Sequence, residues 1–181
     1  MVSVPWIAGL LVVATLVNWL RKRSWADRVK GPGLYAAVGA GAGLVALVVA
    51  LLIGTPVVEG LTDQAVQWST YPVVRGSVTT FVMVAIVIAA GSLACELVLR
   101  GFLVELGREF TRSNAVAVLM GGFAEALLAD GDAGMKLGAG VFGVGLGAIY
   151  IASGRSVVAP LCARLVFLLG ALVLEALRVV G

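Results

Sequence analysis

Six long apolar runs dominate this sequence and limit what it can fold into. They cover residues 4–20, 34–58, 77–99, 114–129, 137–153 and 157–180. A run of about 20 apolar residues is long enough to cross the hydrocarbon core of a bilayer as an α-helix. Because 61% of the residues are hydrophobic and the mean hydropathy is +1.08, the chain has too little polar surface to cover a water-soluble globule. We therefore predict an all-α, polytopic bundle of about six spanning helices that forms a single integral membrane domain over residues 1–181.

The distribution of basic residues predicts an orientation. If the segment after the first run is cytoplasmic, nine basic residues lie on or near that side: Arg21, Lys22, Arg23, Arg28, Lys30, Arg100, Arg108, Arg112 and Arg155. Three lie on the other side: Arg75, Lys136 and Arg178. Cytoplasmic loops are enriched in Lys and Arg, so we expect both termini outside. The high Ala, Gly and Val content suggests a bacterial protein, hence the inner (cytoplasmic) membrane. No basic, aromatic-rich face is present for binding nucleic acid.

Glycines recur in the second and fifth runs and predict close contacts between helices. Gly39 and Gly43 are four residues apart, the small-xxx-small spacing. Further glycines are Gly41, Gly138, Gly140, Gly143, Gly145 and Gly147. Helix association in lipid depends on close packing, which small residues permit.

A segment at the end of the third run, Cys95–Phe102 (CELVLRGF), resembles the Glu-Glu-x-x-x-Arg signature of the CAAX-protease and bacteriocin-processing (CPBP) family of intramembrane proteins. Two later segments extend the resemblance in order. Residues 123–127 are similar to the family's Phe-x-x-x-His, and residues 143–164 to its glycine-rich helix, tight turn and final helix bearing His-x-x-x-Asn. The resemblance implies a CPBP-like core over about residues 77–181, with additional N-terminal helices within residues 4–58.

The same resemblance implies an active site whose chemical groups are mostly replaced. The family's water-activating first glutamate is Cys95 here, its histidine positions are Leu127 and Arg164, and its asparagine position is Leu168. The chain contains no histidine at all. Hydrolysis of a peptide bond needs a base and a stabilised oxyanion, and a cysteine nucleophile would itself need a base beside it. We therefore expect a pseudoprotease without catalytic residues, cofactor or metal.

The remaining polar groups form a candidate pseudo-active-site cluster of Glu96, Arg100 and Arg164. An arginine inside the last run costs about 2.5–3.5 kcal/mol on insertion scales and needs a partner, so we expect Arg164 to fill the vacated cavity and pair with Glu96. Glu96 and Arg100, four residues apart, can pair on one helix face, and we interpret them as snorkelling at the cytoplasmic boundary. Glu125 lies about 200° around the helix from Leu127, so it is predicted to face a partner subunit or a water-filled crevice.

Other candidates carry weaker signals. Cys95 and Cys162 are interpreted as packing residues rather than a thiol site. Residues 100–113 are amphipathic and predict a cytoplasmic surface helix at headgroup level. Asp130 and Asp132 are too few ligands to predict a cation site.

The leading functional hypothesis is a non-catalytic scaffold or accessory subunit of a larger membrane complex, surrounded by lipids and other integral membrane subunits. The family resemblance offers a precedent, since the scaffold subunit of gamma-secretase is regarded as a distant relative. Two alternatives stay open. One is an active CAAX-type intramembrane endopeptidase with an altered site at Cys95 and Glu96. The other is a membrane protein that binds a lipid or small molecule, with Arg164 facing an anionic head group.

Overall fold

The computed structural model describes residues 4–20, 26, 29, 31–63, 74, 77–131 and 133–177. Six continuous helices and no strand occur in these ranges. The uninterrupted ones are α1 (Val4–Leu20), α4 (Asn114–Leu128), α5 (Ala133–Ala152) and α6 (Val158–Ala176). Helix α2 joins Pro32–Val49, a π-helical stretch Ala50–Gly54 and Thr55–Thr62, and α3 joins Val78–Glu96, a π-helical stretch Leu97–Val104 and Glu105–Thr111. The predicted all-α bundle is confirmed.

Four of these helices are long and apolar enough to cross a membrane: Gly33–Leu61 within α2, Val78–Thr111 (all of α3), α5 and α6. Helices α1, with 17 residues, and α4, with 15 residues, are shorter. Large apolar side chains are exposed along the outer faces of the helices, which is expected where lipid rather than water is the solvent. The chain therefore fits an integral membrane protein.

Side-chain caps and one turn set several helix boundaries. The Ser77 hydroxyl accepts a hydrogen bond from the Thr80 amide at the start of α3, and the Ser113 hydroxyl accepts one from the Val116 amide at the start of α4. Serine is favoured there because it satisfies an amide that lacks a helical partner. The tight turn predicted at Gly154 and Arg155 separates α5 from α6, and both residues have positive φ.

Glycine packing joins the helices in pairs. A Cβ at Gly39 or Gly43 in α2 would collide with the α6 backbone at Ala159 or Ala163, and a Cβ at Gly143 in α5 would lie 2.8 Å from the Glu125 side chain of α4. These contacts confirm the predicted role for Gly39, Gly43, Gly140, Gly143 and Gly147. Gly41, Gly138 and Gly145 instead face outward, with no heavy atom within 4 Å of an added Cβ.

Helix α3 is longer than predicted, because one helix of 34 residues, Val78–Thr111, covers most of the two predicted segments 77–99 and 100–113. The surface helix predicted over residues 100–113 is therefore wrong in its first half. A π-helix bonds residue i to residue i+5, so residues five apart share a face. Arg100 and Glu105 consequently both point inward and are buried, whereas Phe110 is exposed. Arg100 lies within the bundle rather than in a cytoplasmic loop.

The bundle has two ends of different charge. We call one the Arg155 face: there α3 and α5 end while α2, α4 and α6 begin, since Tyr35 in α2 approaches Gly154 and Arg155 approaches Glu105. The other end carries one described lysine, Lys136, and four acidic residues, Glu59, Asp63, Asp130 and Glu175. The basic residues predicted beside the Arg155 face at 21–23, 28 and 30, and also Arg75, Asp132 and Arg178, lie outside the described residues.

Candidate functional site

Four charged side chains from three helices form a closed ring inside the bundle. Each carboxylate uses its two oxygens for two different guanidinium groups. Glu96 Oε1 accepts a hydrogen bond from Arg164 Nε at 2.6 Å, and Glu96 Oε2 lies 3.4 Å from Arg100 Nε. Glu125 Oε1 accepts from Arg164 Nη2, and Glu125 Oε2 accepts from Arg100 Nη2 at 2.6 Å. We call this set the ionic ring.

The ring is deeply buried and lies near the middle of the bundle. Glu96 and Arg100 are 0% exposed, Glu125 is 5% exposed and Arg164 is 8% exposed. Arg100 Nη2 also donates to the carbonyl of Gly143 at 2.8 Å. Gly143 is ten residues after Ala133 and nine before Ala152 in α5, so it lies roughly 14–15 Å from each end at 1.5 Å per residue.

Local sequence brings the four groups together. Glu96 and Arg100 are one turn apart on α3, at the start of its π-helical stretch. The Glu125 carboxylate can lie against α5 because position 143 is a glycine. A Cβ at Gly143 would lie 2.8 Å from Glu125 Oε2. Arg164 reaches inward from the second turn of α6, with its guanidinium carbon 5.8 Å from the centroid of the Phe142 ring. That distance allows a cation–π contact.

The contact between Glu96 and Arg100 is the one side of the ionic ring that lacks a hydrogen bond. Within the described part of the chain, Glu96 Oε2 and the Nε and Nη1 atoms of Arg100 have no hydrogen-bond partner. The 3.4 Å contact between Glu96 Oε2 and Arg100 Nε is therefore an ion pair without hydrogen-bond geometry. In the low-dielectric interior even such a contact is attractive.

The predicted partner of Arg164 is confirmed, because Arg164 binds Glu96 directly. The predicted ion pair between Glu96 and Arg100 is also present. Its interpretation as a snorkelling pair at the boundary is wrong, since neither side chain reaches the surface. The π-helical stretch turns Arg100 towards α4 and α5, where Glu125 and the Gly143 carbonyl receive it.

The prediction for Glu125 is wrong. It was expected to face a partner subunit or a crevice, but its carboxylate lies inside the ring between Arg100 and Arg164. Leu127 instead is 66% exposed on the outer face of α4. The prediction assumed that Leu127 points into the bundle and placed Glu125 about 200° away from it. Leu127 points outward, so Glu125 points inward.

The other positions taken from the resemblance lie around the ring without joining it. Cys95 is buried among Ala14, Val98 and Leu99, where α1 packs on α3. Leu168, one turn after Arg164, packs with the apolar cluster around Ile88 and Leu172. Both cysteines are free thiols, with Cys162 partly exposed. Cys95 has apolar packing partners but also lies within electrostatic range of all four ring residues.

A second polar cluster, which the sequence did not predict, lies nearer the Arg155 face. The buried carboxylate of Glu105 accepts a hydrogen bond from the Tyr150 hydroxyl at 3.1 Å. Arg108 Nη2 donates to Glu105 Oε2 at 3.3 Å, and Arg155 Nη1 lies 3.6 Å from the same oxygen. We call these four residues the Glu105 cluster. The only signal in the sequence was a tyrosine in the fifth run, which by itself specifies no partner.

The ring offers charge pairing rather than an uncommitted base. Each carboxylate already faces two guanidinium groups, and arginine stays protonated at any physiological pH. Among the described residues, no three His, Cys, Asp or Glu side chains are grouped so that they could hold a metal ion.

Comparison with known proteins yields no match: no protein-family model, curated protein or solved structure is detectably similar to this chain.

Proposed function

We propose that this chain is a non-catalytic scaffold or accessory subunit of a larger membrane complex, with a CPBP-like frame held together by the ionic ring. The observation that carries the proposal is that both carboxylates of the ionic ring pair with arginine on each oxygen. A carboxylate that must activate water needs an open oxygen facing the substrate. Glu96 and Glu125 instead connect α3, α4 and α6.

The proposed pseudoprotease character also draws on the positions suggested by the resemblance. Cys95, at the position of the first glutamate, lies against apolar side chains of α1 and α3. Arg164, at a histidine position, is bound by two carboxylates. An arginine paired in this way links α6 to α3 and α4, and it stays protonated rather than acting as an acid or a base.

A scaffold role is further supported by α2, which has small residues on two faces. Gly39 and Gly43 contact α6 within this chain. Gly33, Ala37 and Gly41 repeat the same four-residue spacing on an outward face, and an added Cβ at Gly33 or Gly41 would meet nothing within 4 Å. Small residues at this spacing let a second helix approach closely in lipid.

We place the protein in a bacterial inner membrane with the Arg155 face in the cytoplasm and both termini outside. Arg108, Arg112 and Arg155 lie at that face, and the basic residues at positions 21–30 directly precede α2, which begins there. Removing Arg100 from the cytoplasmic set leaves eight basic residues against three, so the asymmetry persists. Positive residues favour the cytoplasmic side.

The scaffold proposal is tested by extracting the tagged chain from its native membrane in mild detergent and measuring the mass of the particle. We expect stoichiometric membrane partners. Gly41→Leu should release them without lowering the thermal stability of the isolated chain, because the added side chain meets nothing within the chain. Val38→Leu, which changes a neighbouring exposed position, is the matched control. A wild-type chain recovered alone with lipid would contradict the proposal.

The endopeptidase alternative has its own test. The purified chain in liposomes is given a prenylated peptide of CAAX type, and products are followed by mass spectrometry. We expect no cleavage. Cleavage that disappears in both Glu96→Gln and Cys95→Ser would show that the chain is an enzyme and would overturn the non-catalytic proposal.

A further inference from the structure

The Glu105 cluster presents two arginines that are only partly used. The side chain of Arg108 is 33% exposed and that of Arg155 is 44% exposed, while both face the buried Glu105 carboxylate. They approach it from different elements, since Arg108 is on α3 and Arg155 is in the turn between α5 and α6. The Nε of Arg108 is buried and has no hydrogen-bond partner in the described part of the chain. Because that Nε is buried, a ligand could reach only the exposed parts of the two side chains.

The backbone at Arg155 favours a different residue. Gly154 and Arg155 have φ of 66° and 67°, so two successive residues are left-handed. Glycine occupies this conformation freely, whereas a residue with a Cβ pays about 1–2 kcal/mol. A neutral glycine would serve the turn better. We therefore attribute the arginine at this position to its side chain, whose Nη1 lies 3.6 Å from Glu105 Oε2.

Local charge identifies what the side chain can bind. The end of α3 and the following turn carry Glu105, Arg108, Glu109 and Arg112, and Arg155 joins them from the α5–α6 turn. Among the described residues at this edge of the bundle, three arginines against two glutamates leave one surplus positive charge. The five donors of a guanidinium match phosphate oxygens in a bidentate way.

We propose that Arg108 and Arg155 form a binding site for a phosphate group, supplied by the headgroup of an anionic phospholipid at the Arg155 face. The carboxylate of Glu105, oriented by the Tyr150 hydroxyl, holds the two guanidinium groups side by side. These four are positioning and binding residues, separate from the ionic ring. Basic pockets between helices at the cytoplasmic end of membrane proteins bind acidic headgroups in this manner.

The test uses the full chain in nanodiscs made of equal parts phosphatidylglycerol and phosphatidylcholine, followed by native mass spectrometry of retained lipid. We expect phosphatidylglycerol to be retained in preference. Arg155→Gly should lower that preference about five- to tenfold, given roughly 1 kcal/mol for each arginine near a charged lipid surface. This substitution relieves the left-handed backbone at position 155, and although it removes one partner of Glu105, the carboxylate keeps Arg108 and Tyr150, so we expect the fold to persist.

Arg112→Gly is the matched control. Arg112 is an exposed arginine on the same face with φ of 54°, so the substitution removes the same charge and relieves the same kind of strain. Among the described residues, Arg108 and Arg155 contact Glu105 and Arg112 does not. We expect Arg112→Gly to keep the lipid preference within twofold and Arg155→Lys to restore part of it.

Each outcome decides the proposal. Equal losses in the Arg155→Gly and Arg112→Gly variants would indicate diffuse surface charge and would overturn it, as would unchanged retention in Arg155→Gly. Inorganic phosphate added in excess distinguishes the source of the ligand. Selective displacement of phosphatidylglycerol from the wild type, with no effect on Arg155→Gly, would support the phosphate site and assign it to free phosphate as well as lipid.

Discussion

Arg164 and Glu96 are 68 positions apart in the chain, and the Nε of Arg164 donates to the Oε1 of Glu96 at 2.6 Å. The bond joins α6 to α3 where both helices are surrounded by apolar side chains. A charged residue in such a place is rare and is paired when it occurs. Glu125 and Arg100 complete the pairing from α4 and from one turn along α3.

Removing Arg164 should destabilise the bundle strongly. In Arg164→Leu, two buried carboxylates would share Arg100 alone, and leaving a buried charge uncompensated costs about 3–5 kcal/mol. Reversible unfolding in bicelles would measure the change. Arg164→Lys should lower the free energy of unfolding by a smaller amount, because the ammonium keeps the positive charge. Some loss should remain, since an ammonium does not bridge two carboxylates in the same geometry. Full stability of Arg164→Leu would show that the ring is not a structural lock.

Glu96 and Arg164 should be energetically coupled. In a double-mutant cycle with Glu96→Gln and Arg164→Gln, we expect a coupling free energy of about 0.5–3 kcal/mol, the range found for residues in one ion-pair network. The same unfolding assay provides the four values. The pair Glu59→Gln and Arg164→Gln serves as a control, since Glu59 belongs to the acidic end of the bundle. A cycle for Glu96 and Arg164 that closes to zero would contradict the direct pairing.

Packing of α2 on α6 should depend on which glycine of α2 is changed. Gly43→Ala would place a methyl group against the carbonyl oxygen of Ala163, and overpacking of this kind costs about 1–3 kcal/mol. Gly41→Ala, two residues away and facing outward, should change stability by no more than about 0.5 kcal/mol. Thermal unfolding of the two variants makes the comparison. Equal effects would mean that α2 does not use its Gly43 face against α6.

The hydrogen bond from Tyr150 to Glu105 should be measurable by removing one hydroxyl. Tyr150 is fully buried, and hydrogen bonds between helices in membrane proteins contribute about 0.6 kcal/mol on average and up to about 1.7. We expect Tyr150→Phe to destabilise within that range and to have a smaller effect in a Glu105→Gln background. If Tyr150→Phe destabilises the protein equally in the Glu105→Gln background, the loss would come from altered packing of the Tyr150 side chain rather than from the hydrogen bond.

The two cysteines should differ in reactivity. Cys95 is 6% exposed among apolar neighbours, while Cys162 is partly exposed. A membrane-permeant maleimide should label Cys162 in the folded protein and label Cys95 only after unfolding in detergent. The variants Cys95→Ala and Cys162→Ala identify each site by mass spectrometry. Rapid labelling of Cys95 in the folded chain would favour a thiol site over packing.

Much of the fold followed from the sequence because each long apolar run forms a helix. The predicted limits of the first run, residues 4–20, match α1, and residues 114–129 match α4 within one residue. The charge of Arg164 was equally informative, because an arginine within an apolar helix requires an acid nearby. The apolar runs contain three acids, Glu96, Glu125 and Glu175. Glu175 lies about three turns further along the same helix as Arg164, so the pairing with Glu96 was within reach.

The errors have physical reasons. Glu125 was oriented by reference to Leu127 rather than by its own need for a cation. Arg100 lies where a run of apolar residues gives way to charged ones, and there polarity alone does not separate burial from snorkelling. The π-helical stretch Leu97–Val104 decides the matter, because it turns both Arg100 and Glu105 inward. Neither composition nor spacing indicates such a stretch.

The net charge of the ionic ring also determines the force that a membrane voltage exerts on it. With two carboxylates and two guanidinium groups the ring sums to zero, so a voltage across the bilayer exerts no net pull on it. Losing a single member would leave one elementary charge within that field, where 100 mV amounts to about 2.3 kcal/mol for a charge that crosses the full membrane. The intact ring thus places two arginines and two glutamates at the centre of the bundle without giving the membrane voltage a net charge to act on there.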